Sequence, residues 1–590
     1  MGESKVNKEI ASVAKTLFYG EFEENVAFPF PRFNDEQKEM GTAMTDAVNK
    51  FASEKIDSEK FDREALLPKE VLSGIGQLGL FGLAVSEDLG GLELDHSLYA
   101  RVFSEVAGID GSIATTLGAH QSIGYKALLN EGTDEQKKKW LPALASGEKL
   151  AAFCLTEPGS GSDAYSIKTK AVDNGDGTFT LNGQKLWITN GGSAEFYTVF
   201  CKTDHEINGE KKEKISCLAV EKSMEGISFG EKEDKMGIRA SETRAVYFDN
   251  VIVPKENIIG EAGKGFKIAM NVLNTGRLSL GSGCVGGMKS SLELACAHAK
   301  GRKQFGNSIS EYGLIQSKLA KMSSNIYSCE SMVYFSTGLI DKGMEDYSME
   351  SAICKVYCSE KLWETVDMAL QVAAGNGYMR EYPYERIMRD SRINLIFEGT
   401  NEILRIFIAL TGLKGPSDSL KELGKISDVS KFLQDPIKSL GIASNFIKGR
   451  TSKMIGQRTI TDIDESLKSY SKEFARMLSE FAICVENTII KHGKNIIGNE
   501  FPQERIANMA IELYVQLCVL SRTDSIIKDD SIEQKDKDYA LNLTRLSCID
   551  SKQAFHRNRR RLDGKYDSCV PKASEDVCSR NGYGLDILKF

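Results

Sequence analysis

One carboxylate stands out for chemistry: Glu398, inside Ile396-Phe397-Glu398-Gly399-Thr400-Asn401-Glu402-Ile403-Leu404-Arg405. Apolar neighbours strip water from a carboxyl group and raise its basicity, and Gly399 lets another molecule press against the backbone. A general base that takes a weakly acidic C–H proton needs both. The same residues also read as a helix start, with Thr400 or Asn401 capping and Glu402 in the first turn. The six histidines (His96, His120, His205, His298, His492, His556) form no ligand pair at helical spacing. Thirteen scattered cysteines include no Cys-x-x-Cys pair, which suits reduced thiols in a reducing compartment. Cys354 and Cys358, one helical turn apart with no histidine nearby, are expected to pack, and no metal site is expected.

Other segments carry glycines, aromatics and polar residues in a fixed order. Phe153-Cys154-Leu155-Thr156-Glu157-Pro158-Gly159-Ser160-Gly161-Ser162-Asp163 is followed by Lys185-Leu186-Trp187-Ile188-Thr189-Asn190-Gly191-Gly192. Then come Arg302-Lys303-Gln304-Phe305-Gly306 and Gln371-Val372-Ala373-Ala374-Gly375-Asn376-Gly377. In this order, and ending in Phe-Glu-Gly-Thr-Asn, the motifs resemble those of the acyl-CoA dehydrogenase family of flavoproteins. The resemblance spans nearly the whole chain and is closest to the very-long-chain branch, which shares an extended C-terminus.

The resemblance implies an FAD enzyme that dehydrogenates fatty acyl-CoA between Cα and Cβ in β-oxidation and passes electrons to an electron-transfer flavoprotein. It implies that Glu398 is the base and that its own N–H helps hold the thioester oxygen. Some branches place the base just before the arginine matching Arg277; Gly276 stands there in this chain. Phe153, Leu155 and Thr156 then line the flavin, Trp187 shields the ring, and Ile188 and Thr189 accompany it, with Thr189 near the reactive nitrogen. Strand alternation puts Trp187 and Thr189 on one face. Gly159, Gly161 and Ser162 form a loop close to cofactor and substrate. Arg302, Gln304 and Phe305, with Gln371 and Gly375, correspond to a cradle for the FAD of a neighbouring subunit, hence a homodimer. Ala374 stands where the family commonly has another glycine. Thr400 and Asn401 are expected beside cofactor or substrate, Phe397 and Gly399 at the substrate, and Asn274 and Arg277 along the acyl-CoA channel. Medium-chain relatives close the tail pocket with bulky polar residues in the segment matching Ser112–Gly118. Ala114 and Gly118 leave a deeper slot here, which favours long or very long acyl chains. An acyl-CoA oxidase, or a non-catalytic scaffold for assembly of a membrane respiratory complex, are the alternative readings.

The elements that must hold these residues follow from hydrophobic period. The expected fold is α+β and mostly α: an N-terminal segment (1–35), a helical domain (36–150), a small sandwich- or barrel-like β domain (151–263), a four-helix bundle carrying Glu398 (264–415) and an appended helical domain (416–590). Asn34-Asp35-Glu36 can cap the first helix, and Asp176-Gly177 suits a hairpin turn. Gly281-Ser282-Gly283-Cys284-Val285-Gly286 matches G-x-G-x-x-G, but it lies between helical stretches without a strand. It is expected to serve close helix packing and not a nicotinamide.

At 590 residues the chain is long enough for three or four domains. Its net charge of −8 gives no reason to expect nucleic acid. No apolar run reaches the roughly 20 residues of a membrane span. Residues 1–27 mix lysines with glutamates and lack the features of a secretion or import signal, and Met1-Gly2 is followed by Val6 where a myristoylation site needs Ser or Thr. A cytoplasmic protein is expected, peripheral on the inner membrane face or in the mitochondrial matrix if the chain is a trimmed eukaryotic one. Residues 436–461 hold Lys438, Lys448, Arg450, Lys453 and Arg458 among apolar residues, which reads either as a solvated loop or as a peripheral membrane contact. The cluster from His556 to Arg561 is expected to be a helix surface paired with acids.

Overall fold

The computed structural model describes residues 10–422 and 459–589. The chain separates into two compact units, one holding Pro31–Asn401 and the other Ala11–Phe30 together with Glu402–Phe590.

In the first unit the opening helix Asp35–Lys55 starts where its sequence predicts. The Asn34 side chain accepts the Gln37 N–H and the Gln37 side chain answers the Asn34 N–H, a reciprocal cap. Helix His96–Ile109 follows, and helix Gly111–Leu117 continues into a π-helical stretch, Gly118–Gly124. The β domain is a seven-stranded sheet built of β1 (Ala151–Cys154), β2 (Lys170–Asp173), β3 (Thr178–Thr189), β4 (Phe196–Ile207), β5 (Glu210–Glu221), β6 (Ile227–Phe229) and β7 (Thr243–Pro254). The order is β1-β4-β2-β3-β7-β6, with β5 paired to β4. The expected β2–β3 hairpin is present, Ala171 opposite Leu181. In β4, Phe196 and Phe200 face one core and Tyr197, Val199 and Cys201 the other. A strand covered on both faces reads as a continuous apolar run, which is why Phe196–Cys201 barely alternates.

Helices Gly265–Gly301, Gly313–Asp341 and Ser348–Ala373 complete this unit. The G-x-G-x-x-G segment lies in the middle of the first of them. A Cβ on Gly286 would fall 1.9 Å from the Ser104 carbonyl oxygen, so this glycine lets two helix backbones touch. Cys354 and Cys358 are fully buried in the helical core.

Helix Asn401–Glu422, expected as the last member of the bundle, belongs from Glu402 onward to the second unit. There it joins helices Lys468–His492, Glu500–Ile527 and Gln534–Arg561. Residues 11–30, part of the expected N-terminal segment 1–35, supply part of the same core. Phe18 meets Phe481 edge-on at 5.0 Å, and the Phe30 N–H donates to Ser525 Oγ at 3.0 Å. Most of the basic stretch 436–461 lies outside the described residues.

Candidate active site

Glu398 lies in a tight turn that ends a short 3₁₀ helix, Arg392–Leu395. Its backbone is left-handed, φ 59°, and Gly399 follows at φ 92°. An ordinary residue in that region is strained by about 1 kcal/mol or more, so the surroundings must hold it. Two buried cations do so from behind. Arg277 Nε donates to the Glu398 carbonyl at 3.2 Å, and Lys355 Nζ donates to the Gly399 carbonyl at 2.8 Å and to Asn401 Oδ1 at 2.7 Å. Asn274 Oδ1 in turn accepts from Arg277 at 3.0 Å. Burial pushes the Lys355 ammonium down to about 8.

The carboxylate points the other way. Glu398 Oε2 is closed off from water and has no hydrogen-bond partner among the described residues. That desolvation raises its pKa to about 7, with the nearby charges of Arg277 and Lys355 pulling back in part. The Glu398 N–H also donates to no group among the described residues. Gly276 explains how the group fits: a Cβ there would lie 2.9 Å from Glu398 Oε2 and 2.8 Å from Ile123. The position that could hold an alternative base is therefore the space the Glu398 carboxylate occupies.

Glu398 forms part of the wall of a cavity of about 330 Å³, together with Ala114, Gly118, Thr189, Gly276 and Phe397. Residues scattered from 114 to 398 in the sequence thus meet in one cavity wall. The cavity follows one face of helix Gly265–Gly301, where Gly276, Ser279, Leu280, Gly283, Gly287, Ser290 and Leu294 recur at three- and four-residue spacing. At 1.5 Å per residue that face runs ~27 Å.

Other expected site residues fall in different places. Ile188 and Leu155 are buried in the cores, so only their backbone can face a ligand. Phe153 is half-buried, 5.0 Å from the Phe200 ring, and the Thr156 carbonyl accepts the Leu186 N–H. Asn274 and Arg277 do not line the channel; they brace the Glu398 turn. Asn401 is turned inward, bonded to Lys355, Ser359 and Glu360, so its amide is spent inside the protein. Helix Asn401–Glu422 starts at that point, so the turn at Glu398 and a helix start coexist. Thr400 is half-buried beside it. Arg302, Gln304, Phe305, Gln371 and Gly375 lie on the surface, with Phe305 96% exposed. The methyl of Ala374 matters in an unexpected way: Ala374, not Gly375, takes the strained conformation, φ 53° and ψ −126°.

A flat, polar-edged cofactor fits the open side of this site. Trp187 is 63% exposed at φ 56°, in a register break of β3 between Lys185 and Ile188, two residues before half-buried Thr189. Nothing lies within 4 Å of where a Cβ would sit on Gly159, Gly161 or Gly375, and Ser162 is exposed. An outward-facing large aromatic side chain and a glycine loop with open space around its backbone suit the binding of FAD. The loop rests on a pair that no motif announces: buried Lys185 bonds Glu157 at 2.8 Å and the Leu155 carbonyl at 3.1 Å. Lys355 and the π-helical stretch Gly118–Gly124 were equally unannounced. A lone lysine within Ala352-Ile353-Cys354-Lys355-Val356 was the available signal for the first.

Sequence comparison agrees with this geometry. The descriptions "Acyl-CoA dehydrogenase, N-terminal domain", "middle domain" and "C-terminal domain" match residues 36–148, 152–251 and 263–413, and "ACAD9/ACADV, C-terminal domain" matches 465–583. The chain is 41% identical over 539 residues to the very long-chain specific acyl-CoA dehydrogenase, mitochondrial, of Mus musculus, covering 89% of this chain and 81% of that one. It is 42% identical over 533 residues to the Homo sapiens protein of the same name, covering 88% and 80%. The crystal structure of an acyl-CoA dehydrogenase complexed with FAD from Bacillus anthracis superposes with a TM-score of 0.78 at 32% identity, covering 94% of this chain and 92% of that one. This chain belongs to the acyl-CoA dehydrogenase family.

Proposed function

We propose that this protein dehydrogenates long-chain fatty acyl-CoA to the trans-2-enoyl-CoA in β-oxidation, with Glu398 as the base. The observation that carries the reading is a desolvated, unpartnered carboxylate in the wall of a long cavity, with two cations fixing its backbone from behind. A carboxyl group near pKa 7 is ionised often enough at neutral pH to accept a proton and basic enough to take one from carbon. The Glu398 N–H, which donates to no acceptor among the described residues, is available to the thioester oxygen as charge develops there. Arg277 and Lys355 keep the turn from relaxing, so the base is held in place before substrate arrives. FAD, when bound, accepts the β hydrogen as hydride. Trp187, the glycine loop and Thr189 supply its binding face.

The test is anaerobic. Protein carrying FAD should bleach on addition of palmitoyl-CoA, and Glu398→Gln should keep the yellow cofactor while losing the bleaching. Undiminished bleaching by that variant would overturn the assignment.

Long acyl chains are favoured by the ~27 Å cavity face and its small residues. At a rise of roughly 1.3 Å per carbon, set by C–C bonds near 1.5 Å, that length suits about 20 carbons. Electron-transfer flavoprotein is the electron acceptor. A homodimer is supported by the strong exposure of Phe305, Leu314 and Tyr378, near in sequence to the residues expected to cradle a neighbour's FAD. The mitochondrial names of the mouse and human relatives support a mitochondrial location. No helix of the described residues is long and apolar enough to cross a membrane.

A further inference from the structure

The far end of the acyl cavity is not built like its middle. Along most of its length the walls are apolar or small, with Phe103, Ala107, Leu280 and Leu362. It ends where helix Tyr384–Ser391 crosses the long helix, and there the Tyr384 hydroxyl donates to the Leu294 carbonyl at 3.1 Å. Its wall there includes Ile109 and Arg386. Both also line a surface groove of about 600 Å³ formed by residues 53–59 on the outside of the same unit. A second surface groove shares Pro383 and Arg386 with the cavity. Ile109 and Arg386 thus face both the channel and the surface groove.

Arg386 is loosely held. Its nearest charge is Asp110 at 3.7 Å, beyond hydrogen-bond range, and no hydrogen bond holds its guanidinium among the described residues, although the side chain is only 15% exposed. Its neighbour Arg389 shows the contrast: it forms two bonds to Asp62 at 3.0 and 2.7 Å and two to Glu385 at 2.7 and 3.0 Å. The helix is pinned by Arg389, while Arg386 is free to change rotamer without disturbing it.

We propose that Ile109 and Arg386 form a rear gate, through which an acyl chain longer than the channel passes its terminus into the surface groove. The proposal rests on the acyl-CoA dehydrogenase reading above and extends its substrate class to long acyl thioesters whose ω end is polar. In a closed channel, an ω-carboxyl group is buried without partners and strongly disfavoured at every chain length. With a rear opening, that penalty disappears once the chain outruns the channel, because the carboxyl group emerges into water beside the Arg386 guanidinium.

The experiment compares kcat/KM for methyl-ended and ω-carboxyl acyl-CoAs of 12 and 24 carbons, in the FAD-loaded full chain. The expected result is discrimination against the ω-carboxyl group of about 100-fold or more at 12 carbons and about threefold or less at 24. Ile109→Trp, which narrows the opening, should restore discrimination at 24 carbons to about 30-fold, and Arg386→Ala should not restore it. Equal discrimination at both lengths, or an Ile109→Trp profile that superposes on the unaltered one, overturns the gate while leaving the enzyme assignment intact. Absence of turnover with every methyl-ended acyl-CoA overturns the enzyme assignment and the gate with it.

Discussion

Two acids in the walls of the same cavity have carboxyl groups pushed up to about 7, and only one is suited to chemistry. Burial raises both Glu398 and Asp390. Asp390 accepts the Ile238 N–H and sits close to Asp110 and Arg386, so it is satisfied by structure. Glu398 Oε2 has no donor among the described residues, while Arg277 bonds its backbone carbonyl and Lys355 that of Gly399. A perturbed pKa therefore does not by itself mark a site. What separates the two is whether the charged atom has a partner already.

The hardest test of that contrast is a pair of isosteric substitutions. Glu398→Gln should lower single-turnover reduction by about 10⁴-fold, and Asp390→Asn should stay within about fivefold. Equal losses would erase the distinction. Stability should move the opposite way at the first site. Between pH 4.5 and about 7 folded Glu398 keeps a proton that the unfolded chain has released, so its contribution to stability falls as pH rises through that window. Above it the cost is roughly 3 kcal/mol. Glu398→Gln should therefore melt a few degrees higher at pH 8 and show no gain at pH 4.5, as read by thermal unfolding. A smaller effect, about 100-fold on kcat, is expected of Gly276→Ala, whose methyl would meet the Glu398 carboxylate at 2.9 Å. The pH profile sharpens the contrast last. kcat/KM should fall tenfold per unit below about pH 7, and Asp390→Asn should leave that limb where it is.

Much of this was readable in the chain because it depends on neighbours in sequence. Phe397-Glu398-Gly399 announces a desolvated carboxylate beside open backbone, and the Asp176-Gly177 turn announces its hairpin. What stayed hidden depends on contacts across long separations. Lys355 reaches Gly399 from 44 residues away, and Arg277 reaches Glu398 from 121. Asn401 looked like a ligand contact because its type allows one, and only the buried Lys355 shows where its amide is used. For Leu155 and Ile188 the motif identifies a cofactor loop but not which of its side chains turn into the core. The split of the chain at Asn401 was hidden because it falls at the start of a helix whose apolar period looks like that of the bundle before it.

Helix Gly265–Gly301 runs unbroken for 37 residues and carries both the glycine beside the base and the leucine at the cavity's far end. It acts as a graduated rod. Placing a bulkier side chain at Gly283 or Gly287 would install a stop at a chosen depth and leave every other graduation in register. Deleting one residue between them would instead swing all later graduations by about 100° away from the channel. Substrate size in such an enzyme is thus adjustable by point substitution and resistant to adjustment by insertion.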